Sequence, residues 1–163
     1  MLSKKVKGEV TIVLMVVGGI FSFLSNIGNS WEHITQNGSY QLGLWKICAS
    51  SYNFICVSRQ RTGTLKTTQT FMTLGCLGYS LAFIFYVLHV NKMFTMKLLG
   101  GILNTSAFCL LIGISLYTNQ VSAREYTFGW SYAVGWISVI LAFAAGLLCF
   151  SESLNPFELV NNY

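Results

Sequence analysis

The segment 31–56 reads WEHITQNGSYQLGLWKICASSYNFIC and separates the first two of four long apolar stretches. Its distinctive residues are Trp31, Gly43, Leu44, Trp45, Cys48 and Cys56. Each indole ring is a large apolar surface with one polar N–H, so we expect Trp31 and Trp45 to dock on the helix ends at the lipid headgroups. Gly43 permits a tight backbone turn beside them. The segment therefore predicts a folded platform instead of a flexible tether.

The four apolar stretches around this segment decide the class of protein. They are residues 10–27, 71–90, 98–118 and 128–150, and none contains Asp, Glu, Lys or Arg. Each can cross a hydrocarbon core of about 30 Å as a helix that rises about 1.5 Å per residue. Helices are required because lipid offers no partner to an unpaired backbone amide. The sequence predicts an all-α membrane protein, a four-helix transmembrane bundle that forms a single domain over residues 1–163.

The composition supports this class. With 53% hydrophobic and 9% charged residues, the 163-residue chain lacks the polar surface of a soluble domain. Most of the bases behind its net charge of +5 flank the apolar stretches, which membrane headgroups explain better than nucleic acid does. One alternative stays open, because Lys4, Lys5 and Lys7 before an apolar stretch are also typical of a secretory signal. Cleavage there would leave three spans and put the termini on opposite sides.

The basic residues also set the expected orientation. The N-terminal tail and residues 91–97 hold five of them, while residues 30–70 and Arg124 hold the other five, so the count alone is a tie. The first five are concentrated in two short flanks, which favours that side as cytoplasmic. We therefore expect cytoplasmic termini, a first extracellular loop over residues 28–70, and a cytoplasmic tail over residues 151–163.

Two of the five cysteines, Cys48 and Cys56, lie outside the predicted helices. On an oxidising extracellular face we expect them to form a disulfide. The β-rich stretches 39–47 and 52–58 around them would then pair as a hairpin. Two unpaired thiols are the alternative. A zinc site is disfavoured because His33 is the loop's only other candidate ligand.

Three shorter signals concern modification and trafficking. An N-glycosylation sequon begins at Asn37 in the expected extracellular loop. Cys149, near the expected cytoplasmic end of the fourth helix, is a candidate for palmitoylation, or a small packing residue. Asn155, Pro156 and Phe157 form a tripeptide of the kind that endocytic adaptor domains bind as a tight turn. A cytoplasmic trafficking adaptor is therefore one expected partner.

Small residues recur along each predicted helix at steps of three and four. The sets are Gly18, Ser22 and Ser25; Gly75, Gly78 and Ala82; Gly101, Thr105, Cys109 and Gly113; and Ser131, Gly135, Ser138, Ala142, Ala145 and Cys149. Helices in lipid associate through faces where small side chains let the backbones approach closely. We expect these sets to face one another inside one molecule with left-handed crossings, and some to be available to a partner.

Catalysis is not expected. The chain has two histidines, no Asp, and no charged residue inside any predicted span, so converging acid, base or nucleophilic groups are missing. A Cys-x-x-Cys pair for thiol redox chemistry is absent too. We expect His33 to be a solvated loop residue and His89 to be an interfacial group. The expectation is a non-enzymatic protein with no cofactor, no bound metal and no nucleic-acid partner.

The pattern in the segment 31–56, Trp then Gly-Leu-Trp then two Cys, resembles the signature of the claudin, peripheral myelin protein and epithelial membrane protein superfamily. Residues 67–71, 117–118 and 128–136 are most similar to two of its branches. One contains the lens fibre membrane intrinsic protein, and the other contains the natural killer granule membrane protein. The resemblance implies a small disulfide-stabilised extracellular β-sheet on a left-handed four-helix bundle.

Departures from the claudin pattern bear on function. Claudins that form barriers or channels carry charged loop positions, a longer second extracellular loop and a tail motif for junctional scaffolds. Here Glu32 is the loop's only acid, residues 119–127 form a short connection, and the chain ends VNNY. These differences disfavour a paracellular junction pore.

The expected function is cell–cell contact, adhesion or membrane organisation through the first extracellular loop. The expected location is the plasma membrane, including cell junctions. Expected partners are the lipid bilayer and further copies or related four-span proteins, in the same or the opposing membrane. The alternative is a granule or vesicle membrane protein, or a channel accessory subunit, that acts within one bilayer.

Overall fold

The structure is a computed structural model that describes residues 4–34, 40–49, 55–60, 62–90, 95–121 and 127–153. Four long helices make up most of it. They are α1 (Lys4–Ile27), α2 (Gly63–Val90), α3 (Met96–Val121) and α4 (Trp130–Ser153). Each contains a span of 22 to 27 residues with a mean hydropathy of 1.8 to 2.3. Even the shortest reaches about 33 Å at about 1.5 Å per residue, so the prediction of four membrane-crossing helices is confirmed.

Helix α2 begins at Gly63, ahead of the apolar stretch predicted from residue 71. Thr62 precedes it, and its hydroxyl accepts a hydrogen bond from the backbone N–H of Leu65 at 3.4 Å. That geometry is an N-cap, which satisfies one of the free N–H groups of the first turn. Hydropathy marks only the part of a helix that lies in hydrocarbon. The first two turns of α2 are polar, so they were not included in the predicted span.

The helices pack as a ring in the order α1, α4, α3, α2, and the contact between α1 and α2 is the smallest of the four. The small-residue sets predicted for α1 and α4 are buried throughout. A Cβ added at Gly135 on α4 would lie only 2.7 Å from the Ser25 hydroxyl on α1. The two backbones therefore approach as closely as the sequence pattern predicted.

The small-residue set predicted for α3 is largely wrong. Thr105 is exposed, Gly101 and Cys109 are partly exposed, and only Gly113 of that set is buried. Helix α3 instead buries a face with several large side chains, including Leu103 and Leu110. The reason lies on the neighbouring helix. A Cβ at Gly75 of α2 would lie 2.5 Å from the Leu110 side chain, so the small residue on α2 receives the large one on α3.

A five-stranded antiparallel sheet covers one end of the bundle. Its strands are β1 (Glu32–Ile34), β2 (Tyr40–Leu42), β3 (Lys46–Ala49), β4 (Ile55–Ser58) and β5 (Thr127–Phe128), in the spatial order β4-β3-β2-β1-β5. The first four come from the connection between α1 and α2, and β5 comes from the connection between α3 and α4. The pairing of β5 with β1 joins the two connections at the same end of the bundle.

The hairpin expected from residues 39–47 and 52–58 is present in part. Strands β3 and β4 pair as predicted, but the first stretch is two strands instead of one. It breaks at Gly43, and β2 then pairs with β3 so that Leu42 lies opposite Ile47. A hydrogen bond of 2.8 Å from the Gly43 N–H to the Lys46 carbonyl closes this turn.

Candidate functional site

The sheet has two chemically different faces, because neighbouring residues of a strand point to opposite sides. One face carries Glu32, Leu42, Ile47, Val57 and Phe128, which the strand registers align in one row. The carboxylate of Glu32 accepts a hydrogen bond from the Tyr117 hydroxyl on α3, so this is the bundle-facing side. The other, outer face carries His33, Gln41, Cys48, Cys56 and Thr127. We call the sheet with its flanking residues 30–31, 43–45 and 59 the platform.

Trp31 fixes the platform to three helices. Its side chain is completely buried, and its indole N–H donates a 2.7 Å hydrogen bond to the Ser25 carbonyl near the end of α1. Its ring meets Tyr117 of α3 edge-on with the centroids 4.7 Å apart, and Tyr132 of α4 at 5.9 Å. A buried indole needs a partner for its N–H, and the end of α1 supplies one. The expectation that Trp31 docks on the helix ends is met.

The Gly43-Leu44-Trp45 turn fixes the platform to the other side of the bundle. Leu44 is fully buried, and its carbonyl accepts a 2.6 Å hydrogen bond from the side-chain amide of Gln69 on α2. The Trp45 indole N–H donates to the side-chain oxygen of Asn26 on α1 at 2.9 Å. The turn therefore connects the sheet with the first turns of α2 and the last turn of α1.

Glycine is required at position 43 by close packing against backbone. A Cβ there would lie 2.7 Å from the carbonyl oxygen of Gly28 and 2.8 Å from the Cα of Asn29. Both atoms belong to the main chain just after α1, so neither can rotate away. Gly43 permits the expected turn, and the contact with residues 28–29 is a second reason why this residue is glycine.

A buried ion pair joins the sheet to α3. The Arg59 guanidinium, which follows β4, lies 3.4 Å from the Glu32 carboxylate on β1. It also donates hydrogen bonds to the Tyr117 hydroxyl at 3.0 Å and to the Gly43 carbonyl at 2.9 Å. The Glu32 side chain is 1% exposed and that of Arg59 is 12% exposed. The pair therefore lies on the bundle-facing side, beneath the turn at Gly43.

The charge on Arg59 is favoured by these neighbours. Burial acts to lower the pKa of its guanidinium, but the nearby oxygens of Tyr117 and Glu32 more than offset this effect. The pKa of Arg59 is therefore raised above its ordinary value. The sequence pattern did not predict this ion pair. The only available signal was that Glu32, the loop's single acid, follows Trp31 directly.

The predicted disulfide is present. Cys48 on β3 and Cys56 on β4 lie directly opposite each other with their Cα atoms 4.1 Å apart, and their sulfurs are bonded on the outer face. Closing so short a loop stabilises the folded sheet by roughly 2 to 3 kcal/mol in the chain-entropy model. The bond holds β4, which is an edge strand, to the rest of the platform.

Strand β4 exposes apolar surface at the sheet edge. Ile55 is 63% exposed and Val57 is 57% exposed, although both side chains belong to the same face as the buried Glu32. At β1 this face is covered by the helix ends, while at β4 it extends beyond them. Among the described residues β4 pairs with β3 alone, so its second edge retains unpaired backbone groups.

The other candidate residues lie away from the platform core or outside the described residues. Asn37 and the Asn155-Pro156-Phe157 tripeptide belong to the residues that the structure does not describe. Cys149 is fully buried in α4, so an acyl transferase would reach its thiol only after local opening of the bundle. The His33 ring forms a 2.8 Å hydrogen bond with the Ser30 hydroxyl.

The remaining candidate residues that the structure describes form no metal site beside the platform. Within the described part of the chain, no three His, Cys, Asp or Glu residues are grouped to hold a metal ion. His89 lies at the opposite end of the bundle, beside a cavity that Glu9 and Glu152 also line. It is therefore remote from the platform.

Comparisons with known proteins agree with this architecture. Residues 7–149 match the PMP-22/EMP/MP20/Claudin family. Epithelial membrane protein 1 of Homo sapiens is 31% identical over 142 residues, which cover 83% of this chain and 90% of that protein. Epithelial membrane protein 2 of Pan troglodytes is 24% identical over 157 residues, covering 84% of this chain and 90% of the relative. The lens fiber membrane intrinsic protein of Rattus norvegicus is 24% identical over 144 residues, covering 80% and 82%. The chain therefore belongs to the PMP-22/EMP/MP20/Claudin family.

Proposed function

We propose that this four-span membrane protein is a non-enzymatic adhesion or membrane-organising protein that acts through its platform. One observation carries the proposal: the platform is locked onto the helix ends, yet none of the described residues covers the apolar edge strand β4. A strand held at a fixed position above a membrane can meet an identical strand without the entropy cost of ordering a loop. The protein would then present β4 to a neighbouring molecule.

The partner we propose is a second copy of this chain or a related four-span protein. Ile55 and Val57 offer adjacent apolar side chains, and the edge of β4 that pairs with none of the described strands offers backbone donors and acceptors. Proteins usually cover such edges with charge, a bulge or a further element, because an exposed edge pairs readily with another strand. Pairing between platforms would bury the two side chains and satisfy the edge.

The proposed location is the plasma membrane, with the platform outside the cell and both termini in the cytoplasm. The disulfide between Cys48 and Cys56 supports this orientation, because disulfides persist on the lumenal and extracellular sides of membranes. The density of Lys residues in the N-terminal tail and in residues 91–97 supports it as well. Two relatives carry names that refer to epithelial membranes and one to lens fibre membrane, in keeping with a surface role.

The test is a cell-mixing experiment with the tagged full chain. Cells that express it are mixed with cells that express a second tag, and enrichment at contacts between the two populations is imaged. Ile55→Lys and Val57→Lys together should abolish the enrichment, because the exposed positions tolerate lysine in the monomer while the charge prevents strand pairing. A control is Thr127→Lys, which adds one positive charge, half that of the β4 double variant, at an exposed site on β5, the opposite edge strand.

The outcomes separate the alternatives. Enrichment that survives the β4 double variant would show that this strand is not the adhesive element. Retention of the wild-type chain in internal vesicles, with no enrichment at cell contacts, would instead favour the granule or vesicle role. A change in ion conductance across a layer of expressing cells, lost in the β4 variant, would favour the paracellular pore.

A further inference from the structure

A groove between α2 and α3 opens sideways toward the bilayer. It has a volume of about 560 Å³, and its lining includes Leu74, Gly78 and Leu81 on α2 and Gly101, Thr105 and Cys109 on α3. The three α3 residues are those that the small-residue pattern predicted to be packed and that the structure leaves open. A Cβ added at Gly101 would meet nothing within 4 Å.

The wall of this groove contains two hydroxyl groups, but both donate their hydrogen bonds within α3. The Thr105 hydroxyl donates to the Gly101 carbonyl at 2.9 Å, and the Ser106 hydroxyl donates to the Ile102 carbonyl at 2.8 Å. Both are therefore satisfied within α3 and offer no free donor to an occupant. On the α2 side, Leu74 and Leu81 are each half exposed and form the rim. The groove suits a hydrocarbon chain better than a polar ligand.

The length of the groove matches one leaflet of a membrane. Lys97, in the first turn of α3, is at one end, and Cys109 is twelve residues further along the same helix. At about 1.5 Å per residue this distance is about 18 Å. Half of a hydrocarbon core is about 15 Å thick. A chain that enters at the Lys97 end would therefore end near the bilayer midplane.

The end of the groove at Lys97 carries a positive charge. Lys97 is exposed, and no ion pair joins it to another of the described residues. It lies at the bundle end opposite the platform, where the headgroups of that leaflet meet the protein. An ammonium group at this depth favours an anionic headgroup over a neutral one.

From these features we propose that the groove binds an anionic phospholipid of the leaflet opposite the platform. Its phosphate would pair with Lys97, and one acyl chain would lie along Gly101, Thr105 and Cys109 between α2 and α3. This site is independent of the proposed adhesive role of β4, because it faces lipid at the other end of the molecule.

The test uses the full chain reconstituted in vesicles that contain a phospholipid with a photoreactive acyl chain. Phosphatidylserine and phosphatidylcholine versions of the probe are compared, and cross-links are mapped by mass spectrometry to residues 74–81 and 98–109. Lys97→Gln should reduce the preference for phosphatidylserine about fivefold, the weight of one cationic side chain at an anionic surface. Lys7→Gln, which removes the same charge from α1 at the same end, should leave the preference unchanged.

A second variant tests the acyl-chain part of the site. Gly101→Leu fills the open space and should remove cross-links in residues 98–109 for both lipids, while Gly101→Ala should retain most of them. An unchanged thermal unfolding curve for Gly101→Leu would show that the bundle itself is intact. Equal cross-linking of wild type and Gly101→Leu would overturn the proposal. If the wild type is dimeric in the vesicles, and Gly101→Leu loses the dimer but keeps the lipid cross-links, the groove holds a partner helix and the proposal is overturned too.

Discussion

The platform and the transmembrane bundle are held together by different kinds of contact. In the platform, a few large or charged side chains donate hydrogen bonds to residues at the helix ends, as Trp31, Trp45 and Arg59 do. In the bundle, the α1–α4 contact is made by small residues whose backbones approach closely, as at Gly135 and Ser25. The difference follows from the surroundings. Near water, burial of apolar surface stabilises a contact, whereas between lipid-embedded helices close fit has to supply the stability.

This difference predicts where the molecule is most sensitive to substitution. The platform depends on single residues that each connect several elements, so one change removes several bonds. The bundle distributes its stability over many small approaches, so one change removes little. The free energy of unfolding in detergent micelles measures this difference, and substitutions in the platform should reduce it more than substitutions in the bundle.

The largest effect is expected from Arg59→Met. The substitution leaves the Glu32 carboxylate buried without its cation, and breaking a buried pair in this way costs about 3 to 5 kcal/mol. Thermal unfolding followed by tryptophan fluorescence should show the loss. The pKa of Arg59 is raised, so the side chain keeps its charge at accessible pH. The stability that the ion pair contributes is therefore fully present until the pH rises above the ordinary pKa of arginine.

The control for this prediction is the double variant Arg59→Met with Glu32→Gln. It removes the stranded charge and should recover part of the lost stability, because a neutral amide costs less to bury than a carboxylate. A double variant as unstable as the single one would show that the two side chains are not coupled, and that Arg59 acts through Tyr117 and Gly43 alone.

The second effect concerns the disulfide. Replacing both Cys48 and Cys56 by alanine should reduce the free energy of unfolding by roughly 2 to 3 kcal/mol. Dithiothreitol should lower the unfolding temperature of the wild type to about that of the double variant. It should leave the unfolding temperature of the double variant unchanged. If reduction has no effect on the wild type, the bond contributes nothing to the stability of the platform.

The third prediction compares one glycine from each region. Gly43→Ala forces a methyl group against the backbone of residues 28–29, so we expect a loss of about 2 kcal/mol, within the usual cost of overpacking. Gly135→Ala meets the Ser25 side chain, which can rotate, so a loss near 1 kcal/mol is expected. Equal losses in the two variants would contradict the view that the platform is the less adaptable region.

The sequence predicted the parts of this structure that depend on local pattern. Hydropathy located four spans, and the placement of Cys48 and Cys56 outside the predicted helices, on an expected oxidising face, predicted the disulfide. The indole rings of Trp31 and Trp45 were expected on the helix ends because such side chains need both burial and a hydrogen-bond acceptor. These features follow from a residue and its near neighbours alone.

Features that depend on distant neighbours were missed. Strands β2 and β3 lie between Glu32 on β1 and Arg59 after β4. Nothing in the sequence around either residue indicates that the Arg59 guanidinium reaches Glu32 while it donates a hydrogen bond to the Gly43 carbonyl. The open face of α3 was missed for a related reason. A row of small residues on α3 shows that a neighbouring helix could approach that face closely. It does not show that Leu110, on another face of α3, fills the space beside Gly75 of α2 instead.

The smallest effect is expected within the bundle. There Gly146 of α4 lies on a packed face, whereas Gly101 of α3 lies on an open one. Gly146→Ala places a Cβ 2.6 Å from the Asn104 side-chain amide, so a loss of about 1 kcal/mol is expected. Gly101→Ala meets no atom within 4 Å, and alanine is the better helix former by up to about 1 kcal/mol. This variant should therefore unfold at the same temperature as the wild type or slightly higher. A clear loss of stability in Gly101→Ala would mean that this face of α3 is packed, and that close fit governs α3 as completely as it governs α4.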